Sequence, residues 1–131
     1  MILELDTASA VPIYVQLRNQ IVMGIGRGEL KNGENLPTVR QLAHDAGINA
    51  MTVNKAYGIL REEGFIEIDR RHGARVAARA DRKGIYRERL EEELELLAAE
   101  SRARGIEKED FLSMCGQVFD QLFLTREVAE R

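Results

Sequence analysis

At 131 residues the chain can form one compact core, or a small domain with an appended oligomerisation element, and a large catalytic architecture is not expected. The single cysteine, Cys115, excludes an internal disulfide and a thiolate metal cluster, so no cofactor is expected. A net charge of −3, no membrane-length apolar run and no export signal together predict a soluble cytoplasmic protein without a membrane partner.

The first predicted helix follows an extended lead at residues 2–5. Pro12 suits the first turn, where its missing amide has no cost. The apolar stripe comprises Ile13, Tyr14, Leu17, Ile21, Val22 and Ile25, at helical spacing. We expect this helix to end between Gly24 and Gly28, before a connecting loop at residues 28–37.

Two short helices joined by a glycine-containing turn are predicted next. Thr38 caps the first, which ends at Gly47, and Asn49 caps the second, which ends at Gly64. Their inward faces contain Val39, Leu42, Ala43 and Ala46 in the first helix and Val53, Ala56, Tyr57 and Leu60 in the second. Because both helices lean on a third, this is the helix-turn-helix pattern, whose second helix enters the DNA major groove.

A β-hairpin is predicted to follow as a wing. Its first strand contains Phe65, Ile66 and Ile68, a polar tip covers residues 69–73, and apolar character resumes at Val76 and Ala77. Arg75 interrupts the return strand, and neither Asn-Gly nor Asp-Gly marks the turn.

From residue 81 strong helix formers predict a helical hairpin, with Gly105 between its helices and the second helix covering residues 107–125. Because two helices form a poor core, a twofold copy of the hairpin would complete a four-helix arrangement. Packing of the hairpin on its own amino-terminal domain is the alternative. The predicted interface comprises Tyr86, Leu90, Leu94, Leu97, Phe111, Cys115, Val118, Phe119 and Leu122, with Cys115 as a small buried hydrophobe.

The predicted fold class is therefore mainly α with a small β wing. Residues 1–80 form a winged helix-turn-helix domain with a formal charge of +1, and residues 81–131 form a helical hairpin for dimerisation with a charge of −4. Residues 70–83 concentrate six Arg or Lys residues against one Asp, which is a basic strip able to meet phosphates.

Five segments give the chain a family resemblance: "PIYVQL", "GELKNGENLPTVRQLA", "GINAMTVNKAY", "LREEGFIE" and "GARVA". In this order and spacing, across residues 10–79, they resemble the GntR family of bacterial transcription regulators. The short carboxy-terminal helical pair and the wording "NAMTVNKAYGIL" resemble its YtrA subgroup.

The resemblance implies a set of DNA-binding residues: Thr38, Arg40, Asn49, Ala50, Met51, Thr52, Asn54, Lys55, Arg71, His72 and Gly73. Arg40 suits phosphate or guanine, and Asn54 can read adenine, whereas Thr52 and Lys55 could equally touch phosphate. Asn49 could serve only as a helix cap. Many relatives carry arginine where this chain has Ala50 and Asn54, and the wing lacks one glycine and the aromatic residue of the family pattern.

The predicted function is a homodimeric transcriptional repressor that binds a palindromic operator in double-stranded DNA. No catalytic constellation occurs, so an enzyme is not expected. The alternative is a protein-binding adaptor on the same scaffold, which the acidic net charge favours and which would lack salt-dependent DNA binding. A small-molecule effector stays open, because no residue pattern identifies a site for one.

Overall fold

The computed structural model describes residues 3–78 and 86–130, with the backbone alone of residues 124–130. Ile2, the predicted boundary after Ala80 and three basic residues of the strip, Arg79, Arg82 and Lys83, lie outside the described residues. Within those ranges the elements are α1 (Ile13–Gly26), α2 (Val39–Ala46), α3 (Ala50–Glu62), β1 (Ile66–Asp69), β2 (Gly73–Val76), α4 (Tyr86–Ala103) and α5 (Lys108–Glu130). The mainly helical fold with a small β wing is confirmed.

The chain separates into two compact units, Met1–Arg82 and Lys83–Arg131. The core of the amino-terminal unit lies where α1 and α2 pack on α3. Its buried side chains include Leu17, Ile21, Leu42, Val53, Tyr57 and Leu60. Burial of an aliphatic side chain of this size is worth roughly 1.5–3 kcal/mol, so these contacts fix the three helices against one another.

The starts of α2 and α3 are set by the two predicted caps. The Thr38 hydroxyl accepts a hydrogen bond of 3.0 Å from the Gln41 amide, and the Asn49 side chain accepts one of 2.7 Å from the Met51 amide. Each bond satisfies an amide that the helix itself leaves unpaired. Gly47 ends α2 with φ at 67°, a conformation that a side chain would strain, so the tight turn before α3 depends on glycine.

The wing is a tight antiparallel hairpin in which Ile66 lies opposite Val76 and Asp69 opposite Gly73. Arg75 does not interrupt the return strand, because it lies in β2 opposite Glu67. Residues 33–36, predicted only as a connecting loop, bond to the other edge of β2. The amide of residue 33 donates to the carbonyl of residue 76 and the amide of residue 36 to that of residue 74, both at 2.8 Å.

Two glutamines of α1 hold the amino-terminal lead in place. The Asp6 amide donates to the Gln16 Oε1 at 2.8 Å, and the Gln16 Nε2 donates back to the Asp6 carbonyl at 2.9 Å. Gln20 makes the same pair of bonds with the backbone of Glu4. The lead thereby pairs with side chains as a strand would pair with a neighbouring strand, and its leucines pack on the core.

A half-buried ion pair connects α1 to the end of α3. Arg18 Nε lies 2.9 Å from Glu63 Oε1 and Arg18 Nη2 lies 3.0 Å from Glu63 Oε2, which is a bidentate arrangement. The same guanidinium lies 5.5 Å from the centre of the Phe65 ring. These contacts fix the chain where it leaves α3 and enters the wing.

The carboxy-terminal unit consists of α4 and α5, and none of its described side chains is fully buried. Its helices carry a broad set of exposed apolar residues: Tyr86, Leu90, Leu94, Leu96, Leu97, Leu112, Met114, Val118 and Phe119. Cys115 is half-buried within one copy of the chain. The second helix also continues to Glu130, past the predicted end at residue 125. Among the helices described, none has the length and apolarity needed to cross a bilayer.

Candidate nucleic-acid interface

Helix α3 has one buried face and one exposed face. Val53, Ala56 and Leu60 are fully buried against α1 and α2, so the opposite face of the helix carries Met51 and Asn54 outward. Met51 is 78% exposed, the largest value among the exposed apolar side chains of the described residues. The helix predicted from the sequence to enter the DNA groove therefore has the face predicted to contact bases exposed.

The amino-terminal turn of α3 also exposes Asn49 and Ala50, while Thr52 is half-buried. The Asn49 oxygen is occupied by the Met51 amide, so its cap role is confirmed. Its side-chain nitrogen makes no hydrogen bond to another described residue. Asn49 can therefore cap the helix and still offer a donor outward.

The first turn of α2 presents Arg40, whose side chain is exposed and has no partner among the described residues. This turn is tied to α3 by Tyr57, whose hydroxyl donates a hydrogen bond of 2.8 Å to the Pro37 carbonyl. Burial raises the pKa of Tyr57 to about 12, so the hydroxyl keeps its proton at neutral pH. The sequence placed Tyr57 in the core without this bond, although a buried tyrosine usually needs a partner for its hydroxyl.

Lys55 is held by a contact that the sequence did not predict. Its ammonium lies 4.0 Å from the centre of the Tyr14 ring on α1, which is a cation–π contact. The side chain is exposed, but its charge is directed to α1 rather than along the outward face of α3. Lys55 is thus placed at the edge of the candidate interface.

The wing tip is shaped by Asp69. Its Oδ1 accepts hydrogen bonds from the backbone amides of Arg71, at 2.9 Å, and of His72. Its Oδ2 lies 3.4 Å from the His72 Nδ1. The backbone bond from His72 is the largest of the effects that hold the pKa of the Asp69 carboxyl below its usual value. Gly73 follows with φ at 68°. One carboxylate therefore fixes the backbone of Arg71 and His72 and lies beside the His72 ring.

Charge at the wing is partly neutralised within the hairpin. Arg75 lies 3.4 Å from Glu67 and 3.9 Å from Asp69, so its charge is shared with two carboxylates. Arg70 and Arg71 are exposed and have no ion pair with any described residue. Arg70 belongs to the predicted basic strip but not to the predicted DNA-binding residues, and it adds at the tip a charge without an ion-pair partner among the described residues.

The predicted DNA-binding residues all belong to the amino-terminal unit, and all except half-buried Thr52 are exposed. The predicted interface residues of the other unit divide into two groups. Tyr86, Leu90, Leu94, Leu97, Val118 and Phe119 are exposed, whereas Phe111, Cys115 and Leu122 are half-buried. No group of residues able to hold a metal ion occurs within the described ranges.

A helix-turn-helix on a third helix, followed by a two-stranded wing, defines a winged helix-turn-helix protein. The family model of the bacterial regulatory proteins, gntR family, matches residues 13–76. With relatives that align along most of their length, the match shows that the chain belongs to the GntR family. It is a DNA-binding transcriptional regulator, of a family that is generally non-enzymatic.

Two relatives from Bacillus subtilis (strain 168) align with most of this chain. The uncharacterized regulator YhcF is 31% identical over 105 residues, covering 79% of this chain and 87% of YhcF. The transcriptional repressor YtrA is 33% identical over 109 residues, covering 82% of this chain and 84% of YtrA.

Solved structures of GntR-family and operator-bound proteins are also similar to this chain. YtrA from Sulfolobus acidocaldarius, a GntR-family transcription factor, is 37% identical with a TM-score of 0.64, over 76% of this chain and 99% of that one. AraR(DBD) in complex with operator ORX1 is 26% identical with a TM-score of 0.52, over 57% of this chain and 96% of that one. The likeness to the YtrA proteins supports the YtrA-like subgroup.

Proposed function

We propose that the protein is a homodimeric repressor that binds a palindromic operator in double-stranded DNA. The observation that carries the proposal is the two-sided character of α3, buried through Val53 and Leu60 and exposed through Met51 and Asn54. Residues near the start of a recognition helix contact base edges in the major groove. The exposed face of α3 is the part of the chain suited to that contact.

Backbone contacts would come from the surrounding turns. Thr38 and Arg40 lie at the start of α2, where a hydroxyl and a guanidinium suit phosphate oxygens. Arg71 and His72 lie at the wing tip on amides fixed by Asp69. Such contacts position the protein on the duplex, and they make its affinity depend on salt through counterion release.

Dimerisation is assigned to the carboxy-terminal unit, in place of the alternative that α4 and α5 cover their own amino-terminal domain. Its two helices expose Leu94, Val118 and Phe119, and no described side chain of the unit is fully buried. A second copy of the hairpin would bury these residues in a four-helix arrangement. Paired recognition helices then suit half-sites about 34–36 Å apart, one turn of the DNA helix.

Repression is favoured over activation by the relatives. YtrA of Bacillus subtilis is a transcriptional repressor, and it aligns with 82% of this chain. A bound dimer with two recognition helices and two wings would occupy a promoter without needing further domains. The proposal places the protein in the cytoplasm with DNA as its partner, and it requires no effector and no cofactor.

The test is fluorescence anisotropy of the full chain with labelled DNA from upstream of its own gene and with a scrambled duplex, at two salt concentrations. We expect a preference of about a thousandfold or more for the genomic duplex and a steep loss of affinity at higher salt. An absence of binding at low salt would contradict the proposal and favour the adaptor. Equal weak binding to both duplexes would contradict specific recognition of this upstream sequence.

A further inference from the structure

The exposed face of α3 carries chemistry that distinguishes base pairs. We infer that Met51 and Asn54 select A·T pairs in each half-site, Met51 through a thymine methyl group and Asn54 through an adenine edge. This inference rests on the proposed operator binding and adds the class of sequence that the helix reads.

Met51 supplies an apolar group where one is not needed for folding. It lies in the first turn of α3 and is 78% exposed, so its side chain contributes little to the core. The thymine methyl is the apolar group that base edges present in the major groove. An exposed thioether at the start of a recognition helix is therefore complementary to thymine, and Ala50 beside it adds no polar group.

Asn54 supplies the matching polar group. It is three residues after Met51, so the two side chains lie on one face of the helix about one turn apart. Its amide makes no hydrogen bond to another described residue, which leaves both its donor and its acceptor available. An asparagine amide in this state can bond to N6 and N7 of adenine together.

The basic group in the same part of the helix that could read guanine is directed away from the outward face. Lys55 is the basic residue of residues 50–56, and its ammonium lies against the Tyr14 ring at 4.0 Å. Arg61 lies in the last turn, roughly 15 Å from Met51 along the axis at a rise of about 1.5 Å per residue. The first two turns thus offer methyl and amide recognition without a free cation, and this favours A·T over G·C pairs.

The experiment begins with selection of duplexes from a randomised DNA library by the full chain. In the selected duplex, each thymine is replaced in turn by deoxyuridine, which removes only the methyl group. We expect one or two thymines per half-site at which the replacement weakens binding about fourfold, the ratio for one buried methyl-sized group. Met51→Ala should bind the thymine and deoxyuridine duplexes equally.

Two controls separate this inference from the proposed function. Met23→Ala truncates a methionine of α1 that is 42% exposed, and it should keep the thymine preference of the unchanged protein. In the same duplex, 7-deazaadenine removes the N7 acceptor, and Asn54→Ala should abolish the sensitivity to it. Failure to enrich any duplex would overturn the proposed function. An enriched duplex with G·C pairs at these positions, or a thymine preference retained by Met51→Ala, would overturn this inference alone.

Discussion

The hydroxyl of Tyr57 donates a 2.8 Å hydrogen bond to the carbonyl of Pro37, which joins the middle of α3 to the residue before the cap of α2. Thr38 directly follows Pro37, and Arg40 lies two positions after Thr38. The bond therefore fixes the turn that carries the proposed phosphate contacts relative to the helix that carries the proposed base contacts.

Removal of this hydroxyl should weaken both folding and DNA binding. Tyr57→Phe keeps the buried ring but leaves the Pro37 carbonyl without its donor, so the free energy of unfolding should fall by about 1 kcal/mol. Urea unfolding followed by circular dichroism measures this change, and anisotropy measures the accompanying loss of operator affinity. Ser113→Ala, which removes an exposed hydroxyl of α5 outside the predicted interface, should lower neither quantity.

The same variant should also change how the free energy of unfolding depends on pH in the alkaline range. Because burial raises the pKa of Tyr57 to about 12 from 10.0, the hydroxyl stabilises the fold fully below pH 10. That contribution is lost as pH rises from 10 towards 12, since the unfolded chain then releases the proton first. The stability gap between the unchanged protein and Tyr57→Phe should narrow across this range, and a constant gap would contradict the assignment.

The helices could be predicted because their signals are local in sequence. Thr38 and Asn49 precede apolar residues at helical spacing, and both make the cap bonds that this pattern indicates. The apolar spacing also predicted which face of α3 is buried, since Val53 and Leu60 are fully buried. Caps and periodicity each involve residues within about one or two turns of each other, so the sequence alone defines them.

Contacts between elements could not be predicted in the same way. The bond of Tyr57 to Pro37 spans 20 positions and the ion pair of Arg18 with Glu63 spans 45, so each exists only once the helices are packed. The pairing of residues 33–36 with β2 also needs the folded wing beside the loop. These contacts determine where the predicted site residues lie, whereas the prediction of those residues rests on sequence patterns alone.

Arg40 is expected to contribute charge to DNA binding without contributing to the fold. Its side chain is exposed and has no partner in the described part of the chain, so Arg40→Ala should leave urea unfolding unchanged. Affinity for the operator should fall by more than about 1 kcal/mol, roughly fivefold, and the salt slope should fall by about one if the contact is to phosphate. Arg104→Ala in the carboxy-terminal unit is the matched control, and an affinity unchanged by Arg40→Ala would remove this residue from the interface.

Asp69 should titrate below the usual range while it holds the wing tip. Its ionised carboxylate accepts the amides of Arg71 and His72, so protonation releases the tip, and stability from this group is lost as pH falls through the lowered pKa. In amide NMR spectra the His72 signal should shift with a midpoint below 3.8, the ordinary value for aspartate. Asp69→Asn should remove that transition. A midpoint at or above the ordinary value would show that the tip is not held by this carboxylate.

The dimer proposal can be tested at one exposed residue of α5. Phe119 is 65% exposed and its ring stacks on Phe123 with centroids 6.1 Å apart. If a second copy covers this surface, Phe119→Asp buries an unpaired carboxylate, which costs several kcal/mol and should convert the dimer to a monomer in size-exclusion chromatography with light scattering.

Gln117→Asp is the control. It adds the same negative charge, but residue 117 lies on the side of α5 opposite to Phe119. It should leave the protein dimeric. A chain ending at Ala80, with its helical content checked by circular dichroism, should also be a monomer, since it lacks both tail helices. A dimer in either Phe119→Asp or the shortened chain would show that self-association does not depend on this face. If Phe119→Asp is monomeric, its affinity for the operator should also fall. Two linked recognition helices bind the two half-sites of a palindrome with avidity, which a single helix lacks.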